Sequence, residues 1–553
     1  MLKWVWGTRR AVLLAAASTT ALADPVYPPG LRSGGPGDAS AMTAGGRTLD
    51  NIATRIGDAI QLADTCAPNA DCTAAFNAVA LLAGAAGKAI RLPPYTFNLT
   101  GNVTLSTHAT PYNVTLIGYG PAVSQIKVSN NAAILYRGGQ TGNVDSKKIV
   151  ARDFRILTTE TTHTATAIFD MEWQGRVAAY PGYNSERTAQ VSNVEIVSGQ
   201  TGPNWGAYMS FNGGFRFFNA NGLRFERSRV RNNYPNVAGT KNILIGGDQQ
   251  PADMFTQNIY SQFGDYGWYV TSAGSGQGWE ALELRDNVTI FNNKGIFVDS
   301  PSVHDLLKIV GSNFNNAEYC VSSRNIHNTH LLNNLFYGWK YDNGGVNPDP
   351  IEWNGVILAS DDPSATFAMN NKIEGNSFFN YYSTATKRGV KITSPNGANT
   401  ATLIDGNSFA GMTEYLNLGS STNNILFADT NHLNSPGATF TNAGSPTTNT
   451  IARTFADPNG WTRGNDGSVR AWGTSSLVVD SSNNVTVPLT GNYAGAFTSR
   501  PYVATAQNSF PGAGPTRVLS WNQNTSTATQ LVFYVAGATP GDNFQLSWRA
   551  DGR

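Results

Sequence analysis

Gly311-Ser-Asn-Phe314, Asn333-Asn-Leu-Phe336, Gly375-Asn-Ser-Phe378 and Gly406-Asn-Ser-Phe409 are four versions of one pattern, a Gly or Asn opening a turn that a phenylalanine closes. The phenylalanines lie 22, 42 and 31 residues apart, and Phe263 and Phe291 extend the column upstream with steps of 28 and 23. A repeat of about 22 residues, lengthened where a loop is inserted, is one coil of a parallel β-helix whose coils stack at a strand spacing of ~4.8 Å. Counting from each phenylalanine, Trp268, Ile296, Tyr319 and Tyr341 fall five residues on, and Val270, Val298 and Val321 fall seven on. Side chains two apart share a strand face, so both sets are expected inward, with positions four, six and eight outward. Asn292 over Asn315 and Asn293 over Asn316 are expected as asparagine ladders at the turns.

Composition agrees with an all-β chain. Only 75 of 553 residues are charged and the formal charge is +1, whereas Gly (57) and Asn (56) are abundant. That near-neutral balance excludes a nucleic-acid partner, whose phosphates need a basic face. Asn, Thr and Ser favour turns and strand faces over helix interiors. One short helix is expected from Asp71 to Leu82, with Phe76, Val79, Ala80 and Leu82 at helical spacing, followed by a first strand at Lys88-Ala-Ile-Arg-Leu-Pro93.

Arg9 and Arg10, the apolar run Ala11–Ala23 and the small-residue end Ala21-Leu-Ala23 read as a signal-like leader over residues 1–23, cut before Asp24 or retained. A run of 13 residues is too short to span a bilayer, and no stable membrane insertion is expected. Residues 24–47, rich in Pro, Gly and Ser, read as a tether or anchoring segment, and residues 48–440 as the β-helix. A linker at 441–452 leads to short strands over residues 453–553, expected as a β-sandwich. Cys66 and Cys72 are expected to form a disulfide, leaving Cys320 unpaired, and no metal site or cofactor is expected.

Asp71-Cys-Thr-Ala-Ala-Phe76, Gly87-Lys-Ala-Ile-Arg-Leu-Pro93, Val114-Thr-Leu-Ile-Gly-Tyr-Gly120 and the coils after them resemble the pectate-lyase-like right-handed parallel β-helices, in the form found in bacteriophage tailspikes and polysaccharide depolymerases. The resemblance covers roughly residues 47–440. Asn459-Gly-Trp-Thr-Arg-Gly-Asn-Asp-Gly-Ser-Val-Arg-Ala-Trp-Gly473 is similar to the start of a tail-fibre C-terminal β-sandwich. Together they imply a homotrimeric, extracellular spike, attached to a virion tail through its N-terminus, that binds and cuts a bacterial surface polysaccharide. The leader points to a second reading, a secreted bacterial lyase or glycoside hydrolase, and a non-catalytic β-helical adhesin is the third.

The coil register supplies acid candidates. Glu318 and Asp342 are expected outward on adjacent coils, about 8 Å apart at Cα, a separation that suits the paired carboxylates of a glycosidase. Asp299 is expected farther along the same face, and Lys340 is expected stacked on Glu318. Asp170 and Glu172, in Phe-Asp-Met-Glu-Trp173, form a second-choice pair, and Trp279-Glu280 with Glu283 is a third acidic candidate. Asp361-Asp362 with Arg388-Gly-Val-Lys391 resembles only pieces of a polygalacturonase pattern. Trp339, Tyr269, Trp173 and Trp205 are candidate platforms for sugar rings. An ordinary solvated surface ladder is the alternative for every one of these acids.

Overall fold

Between the first two strands of successive coils the chain turns through only two residues, and the first of them is left-handed in nine coils running: Asp153, Asn193, Arg227, Asn258, Asp286, Gly311, Asn333, Gly375 and Gly406, with φ between 47° and 67°. Gly, Asn and Asp tolerate that conformation at least cost, which is why they recur at the start of the repeated motif. The computed structural model describes residues 59–140, 147–160, 162–174, 188–199, 210–232, 236–247, 253–272, 281–299, 306–338, 352–359, 370–382, 386–394, 400–435, 438–444, 449–451, 460–463, 469–489, 496–508 and 519–552. The leader, the tether and residues 445–448 and 452 of the expected linker lie outside these residues.

The chain is a right-handed parallel β-helix with three columns of strands. The first column runs from Ala89–Arg91 to Thr450–Ile451, the second from Thr96–Leu99 to His432–Asn434, and the third from Val103–Ser106 to Thr439–Asn442. Every pairing along these columns is parallel, one coil to the next. The expected phenylalanine column is present from Phe314 onward, where Phe314, Phe336, Phe378 and Phe409 are direct register partners, fully buried. Their rings stack at 4.6–5.5 Å between centroids.

Upstream the register differs from expectation by two residues. Thr289, not Phe291, pairs with Phe314. Phe263 and Phe291 instead occupy left-handed positions at the corner between the second and third columns, where they stack on each other at 5.6 Å. Trp268 and Ile296 therefore align with Val321, and Val270 and Val298 with Ser323. An even slip preserves strand parity, so these residues still face inward as expected. Tyr319 does not: it stacks in register with Lys294 and is only half-buried, while Cys320, expected outward, is fully buried with its thiol pushed up to about 12 by desolvation. The asparagine pairing shifts likewise, Asn292 lying over Asn316 with Nδ2 donating to Oδ1 at 3.4 Å.

A longer ladder runs along the two-residue corner. From Asp286 onward the residue after each left-handed one is Asn287, Ser312, Asn334, Asn376 and Asn407, continued by Asn431, all buried. The Oδ1 atoms of Asn376, Asn407 and Asn431 each accept from both the backbone N–H and the side-chain amide of the ladder residue one coil earlier, at 2.9–3.0 Å. Each amide also donates to a first-column carbonyl, as Asn376 does to Leu331 at 2.8 Å. No donor or acceptor on these asparagines is left for water, which the dry core lacks.

The helix spans Thr73–Ala86 and buries Phe76, Val79, Ala80 and Ala83. Leu82, expected in that stripe, is exposed, because Ala83 takes the inward place. Asp71 Oδ1 accepts from the Thr73 N–H at 3.1 Å, and Gly87 ends the helix at φ 65°. Cys66 and Cys72 are joined by a disulfide. The C-terminal strands form two antiparallel sheets, 460–463/469–478/543–552/503–508 and 484–488/530–535/519–521, around Val485, Leu531, Phe533, Leu546 and Trp548. The strand Asn543–Gly552 was not foreseen in the sequence. Among the described residues, no helix is long and apolar enough to cross a membrane.

Replacing Asn376 by Leu strips the ladder of its acceptor for Asn334 and its donor to Leu331. Loss of these bonds at ~1–3 kcal/mol for each stranded group is expected to lower the urea midpoint of the β-helix clearly, and an unchanged midpoint would show that the ladder is not structural.

Candidate functional site

The outward face of the third column gathers the charge that the sequence scatters. One row of register partners reads Lys241, Tyr266, Lys294, Tyr319, Asn354, Arg388 and Glu414, one residue per coil. A parallel row, three residues along each strand, includes Arg216, Leu244, Tyr269, Phe297, Ser322, Ile357 and Lys391.

Glu318 reaches this face through a bulge. Asn292 pairs with Asn316 and Lys294 with Tyr319, so Ala317 and Glu318 together oppose the single residue Asn293. A two-against-one bulge kinks the strand and re-aims a side chain. Glu318 remains 43% exposed, and Lys294 Nζ lies 3.9 Å from its carboxylate. The same ammonium is 3.5 Å from Asp265 Oδ1, 3.4 Å from the Tyr266 hydroxyl and 4.5 Å from the centre of the Tyr266 ring. Asp265 is nearly buried and also accepts from the Gly239 N–H at 2.8 Å and the Asn293 amide at 3.0 Å. Desolvation raises the Glu318 pKa, Lys294 opposes the rise and the Asp265 charge adds to it.

Aromatic rings flank the two acids. Tyr269 and Phe297 stack at 5.2 Å, Tyr266 meets Tyr269 edge-on at 5.1 Å, and Lys241 Nζ sits 4.6 Å from the Tyr269 ring centre. All three rings are half-buried. Burial, together with the neighbouring Tyr266, Glu318 and Asp265, raises the Tyr319 hydroxyl pKa.

Two further acid pairs on this face are clamped by arginine. Arg216 Nη1 bridges Asp170 at 2.8 Å and Glu172 at 2.7 Å, Arg137 holds Asp170 at 2.8 Å, and the Arg216 guanidinium lies over Phe218. Arg388 bridges Glu352 and Glu414, with Lys391 at 3.2 Å from Glu352. Burial would raise the Glu352 pKa, but hydrogen bonds from Arg388 and Asn354 and the charge of Lys391 hold it down at about 2.

The expected candidates distribute as follows. Tyr269 stands at the site. Glu318 does too; the residue after it, Tyr319, pairs with Asn354, and residues 339–351 lie in the sequence between the second-column and third-column strands of the next coil. Trp339, Lys340, Tyr341 and Asp342 fall in that insertion, outside the described residues, as do Trp205, Trp279, Glu280, Asp361 and Asp362. Asp299 pairs with Thr271 and Arg324, five residues or ~16 Å along the strand from Lys294. It is therefore not a neighbour of Glu318. Trp173 is fully buried, with its indole N–H on the Lys147 carbonyl at 2.9 Å, so it is core and not a sugar platform. Glu283 is on a first-column strand, paired with Arg285 and Lys308. Asp265, Lys294, Tyr266 and Phe297 were missed. A 28-residue shift laying Phe263-Gly-Asp-Tyr-Gly over Phe291-Asn-Asn-Lys-Gly would have put Tyr266 on Lys294.

No family model and no curated protein matches the chain. Among solved structures it is similar to a tailspike protein double mutant of E. coli bacteriophage HK620 (12% identity, 91% of this chain and 95% of that one, TM-score 0.49). It is also similar to the A-module of a mannuronan C-5 epimerase from Azotobacter vinelandii (16%, 69% and 98%, TM-score 0.44). A third is a tailspike protein of Acinetobacter baumannii bacteriophage Fri1, described as a capsular polysaccharide depolymerase (9%, 90% and 86%, TM-score 0.34).

The depressed Glu352 carboxyl has a stability consequence. A group whose pKa is lower folded than unfolded contributes stability above its unfolded value, ~4.3 for Glu, and loses it as pH falls towards the folded value. Unfolding midpoints measured from pH 5 down to 2 are expected to fall less steeply in Glu352→Gln than in the parent, and parallel curves would contradict the assignment.

Proposed function

We propose that the chain is a tailspike-like receptor-binding protein that binds and depolymerises a bacterial surface polysaccharide, acting as a glycoside hydrolase. One observation carries this reading: the carboxylates of Asp265 and Glu318 converge on a single ammonium, Lys294, beside half-exposed aromatic rings. The two contacted oxygens are no farther apart than the sum of their distances to Lys294 Nζ, which suits the ~5–9.5 Å carboxyl separations of glycosidases.

The two acids occupy different environments, as acid and base roles require. Glu318, with its raised pKa and exposed head, is the proton donor to the leaving glycosidic oxygen. Asp265, fixed by three donors, is the carboxylate that activates water or attacks carbon. Lys294 keeps both charges tolerable in one place, and Tyr269 and Phe297 offer the apolar surface on which a pyranose ring stacks. A β-eliminating lyase is the second reading, favoured by the Tyr266 hydroxyl, which accepts from the Lys294 ammonium at 3.4 Å and is a side chain of the kind that serves as general base. The C-terminal sandwich exposes Val478, Tyr502, Val503 and Tyr534, apolar surface that a homotrimer would cover.

Glu318→Gln and Asp265→Asn are each expected to lower turnover of a sensitive capsule or O-antigen by at least ~100-fold, read as reducing ends. Because Glu318 must be protonated, kcat/KM of the parent should fall as pH rises through its raised pKa, and that limb should vanish in Glu318→Gln. Near-normal turnover in both variants would overturn the site. Product carrying the ultraviolet absorbance of unsaturated uronates would replace hydrolysis by elimination. Light scattering is expected to give three times the 59.1 kDa chain mass, and a monomer would refute the trimer.

A further inference from the structure

A concavity lies on a different face, in the first column across the strands Val114–Ile117, Ile149–Thr158, Ala189–Ser198 and Arg224–Glu226. It has a volume of about 390 Å³ and is lined by Thr115, Gln190, Ser192, Arg152, Glu226 and two more arginines, Arg224 and Arg227. The register explains why it exists. Ser192 pairs with Arg152 on one side and Glu226 on the other, and Gln190 pairs with Val150 and Arg224. At one position a short side chain, Ser192, thus separates two long ones, Arg152 and Glu226, which leaves a notch two strand spacings wide, ~9.6 Å.

Charge and backbone both set this notch apart. Three guanidiniums line it against one carboxylate, Glu226, with Asp153 beside Arg152 at 4.0 Å. Arg224 is held in place, Nη1 donating to the Leu223 and Asp253 carbonyls at 3.0 and 2.7 Å, with its guanidinium over Phe255. Arg227 is the odd member of the nine left-handed corner residues. The other eight are Gly, Asn or Asp, whereas Arg227 holds a long side chain at φ 47°. A bulky residue in that conformation costs free energy, and such strain persists where the side chain is needed. Here Arg227 is one of the residues that line the notch.

We propose that this notch is a binding subsite for a carboxylate-bearing sugar, separate from the acids of the third column. Guanidinium groups match a carboxylate's paired oxygens. Glu226, Gln190, Ser192 and Thr115 supply acceptors and donors for ring hydroxyls. The volume lies at the small end of the ~300–1,000 Å³ of ligand clefts, larger than a bare anion needs. Placed on another face, the subsite retains an acidic chain independently of its cleavage.

The test uses the full-length protein carrying Glu318→Gln, titrated calorimetrically with a tetrasaccharide of glucuronic acid, with its neutral glucose counterpart and with inorganic phosphate. The acidic tetrasaccharide is expected to bind, the neutral one not to, and phosphate to bind at least tenfold more weakly. Arg227→Asn is expected to weaken the acidic tetrasaccharide at least tenfold while raising the thermal midpoint, since asparagine suits the left-handed corner; Arg152→Gln with Arg224→Gln should weaken it likewise. No binding of the acidic tetrasaccharide, equal binding of its neutral counterpart, phosphate binding as tightly, or undiminished affinity in Arg227→Asn would each overturn the proposal. Turnover by the parent tests the third-column site separately.

Discussion

The two-residue corner between the first and second columns is the constraint on which the rest of the molecule depends. A parallel strand pair is stable only where register is fixed, and in a β-helix each coil must reproduce the path of the one before it. From Asp153 to Gly406 the chain meets this with one left-handed residue and one inward residue per coil. Inward residues are apolar at Phe154 and Val194, and from Asn287 onward they are mostly asparagines bonded coil to coil. An asparagine satisfies two backbone groups and its own neighbour at a corner where strand hydrogen bonding has lapsed, so the corner can turn sharply without stranding polar atoms.

A corner so tightly specified cannot admit loops. Insertions enter at the other two corners, and the widest after the ladder begins, residues 339–351, separates the second column from the third. The acids follow this geography. Glu318 stands in the bulge at that same corner one coil earlier, and the third column presents the cations opposite it. Close packing beneath fixes the site: a Cβ at Gly295 would meet the Cys320 carbonyl at 2.2 Å, so the strand that carries Lys294 can lie against the bulge only with glycine there. The opposed requirements of fold and function are thus met on different edges of one coil.

Much of this was legible in the amino-acid sequence. Phe314, Phe336, Phe378 and Phe409 repeat with turn residues before them, and that pattern carries the fold because core side chains must stack when coils do. The site was legible only in part. Glu318 could be placed outward by parity, but its neighbours depended on register across a corner, where Phe291 takes a left-handed turn and Ala317-Glu318 form a bulge. Phenylalanine looks the same in a column and at a corner when only spacing is read. A two-residue slip there leaves Trp268, Ile296, Val270 and Val298 on the expected face while changing which residues they meet, so inward positions survive the error and register partners do not.

The three acid pairs of the third column show why proximity alone does not make a catalytic dyad. Asp170 with Glu172, and Glu352 with Glu414, each surround an arginine whose donors take up carboxylate oxygens in short, directed bonds. At Glu352 the hydrogen bonds from Arg388 and Asn354 and the charge of Lys391 outweigh burial and hold the carboxyl down at about 2. Glu318 differs in geometry before it differs in acidity. Its partner is a lysine 3.9 Å away whose charge is shared with Asp265, and lysine offers a point charge where arginine offers a fork. Partial burial then outweighs a divided cation and the proton is held more tightly, while the exposed head keeps it within reach of a ligand. In the cluster built on lysine the acid, Glu318, thus has its pKa raised, whereas the arginine-clamped Glu352 has its pKa lowered.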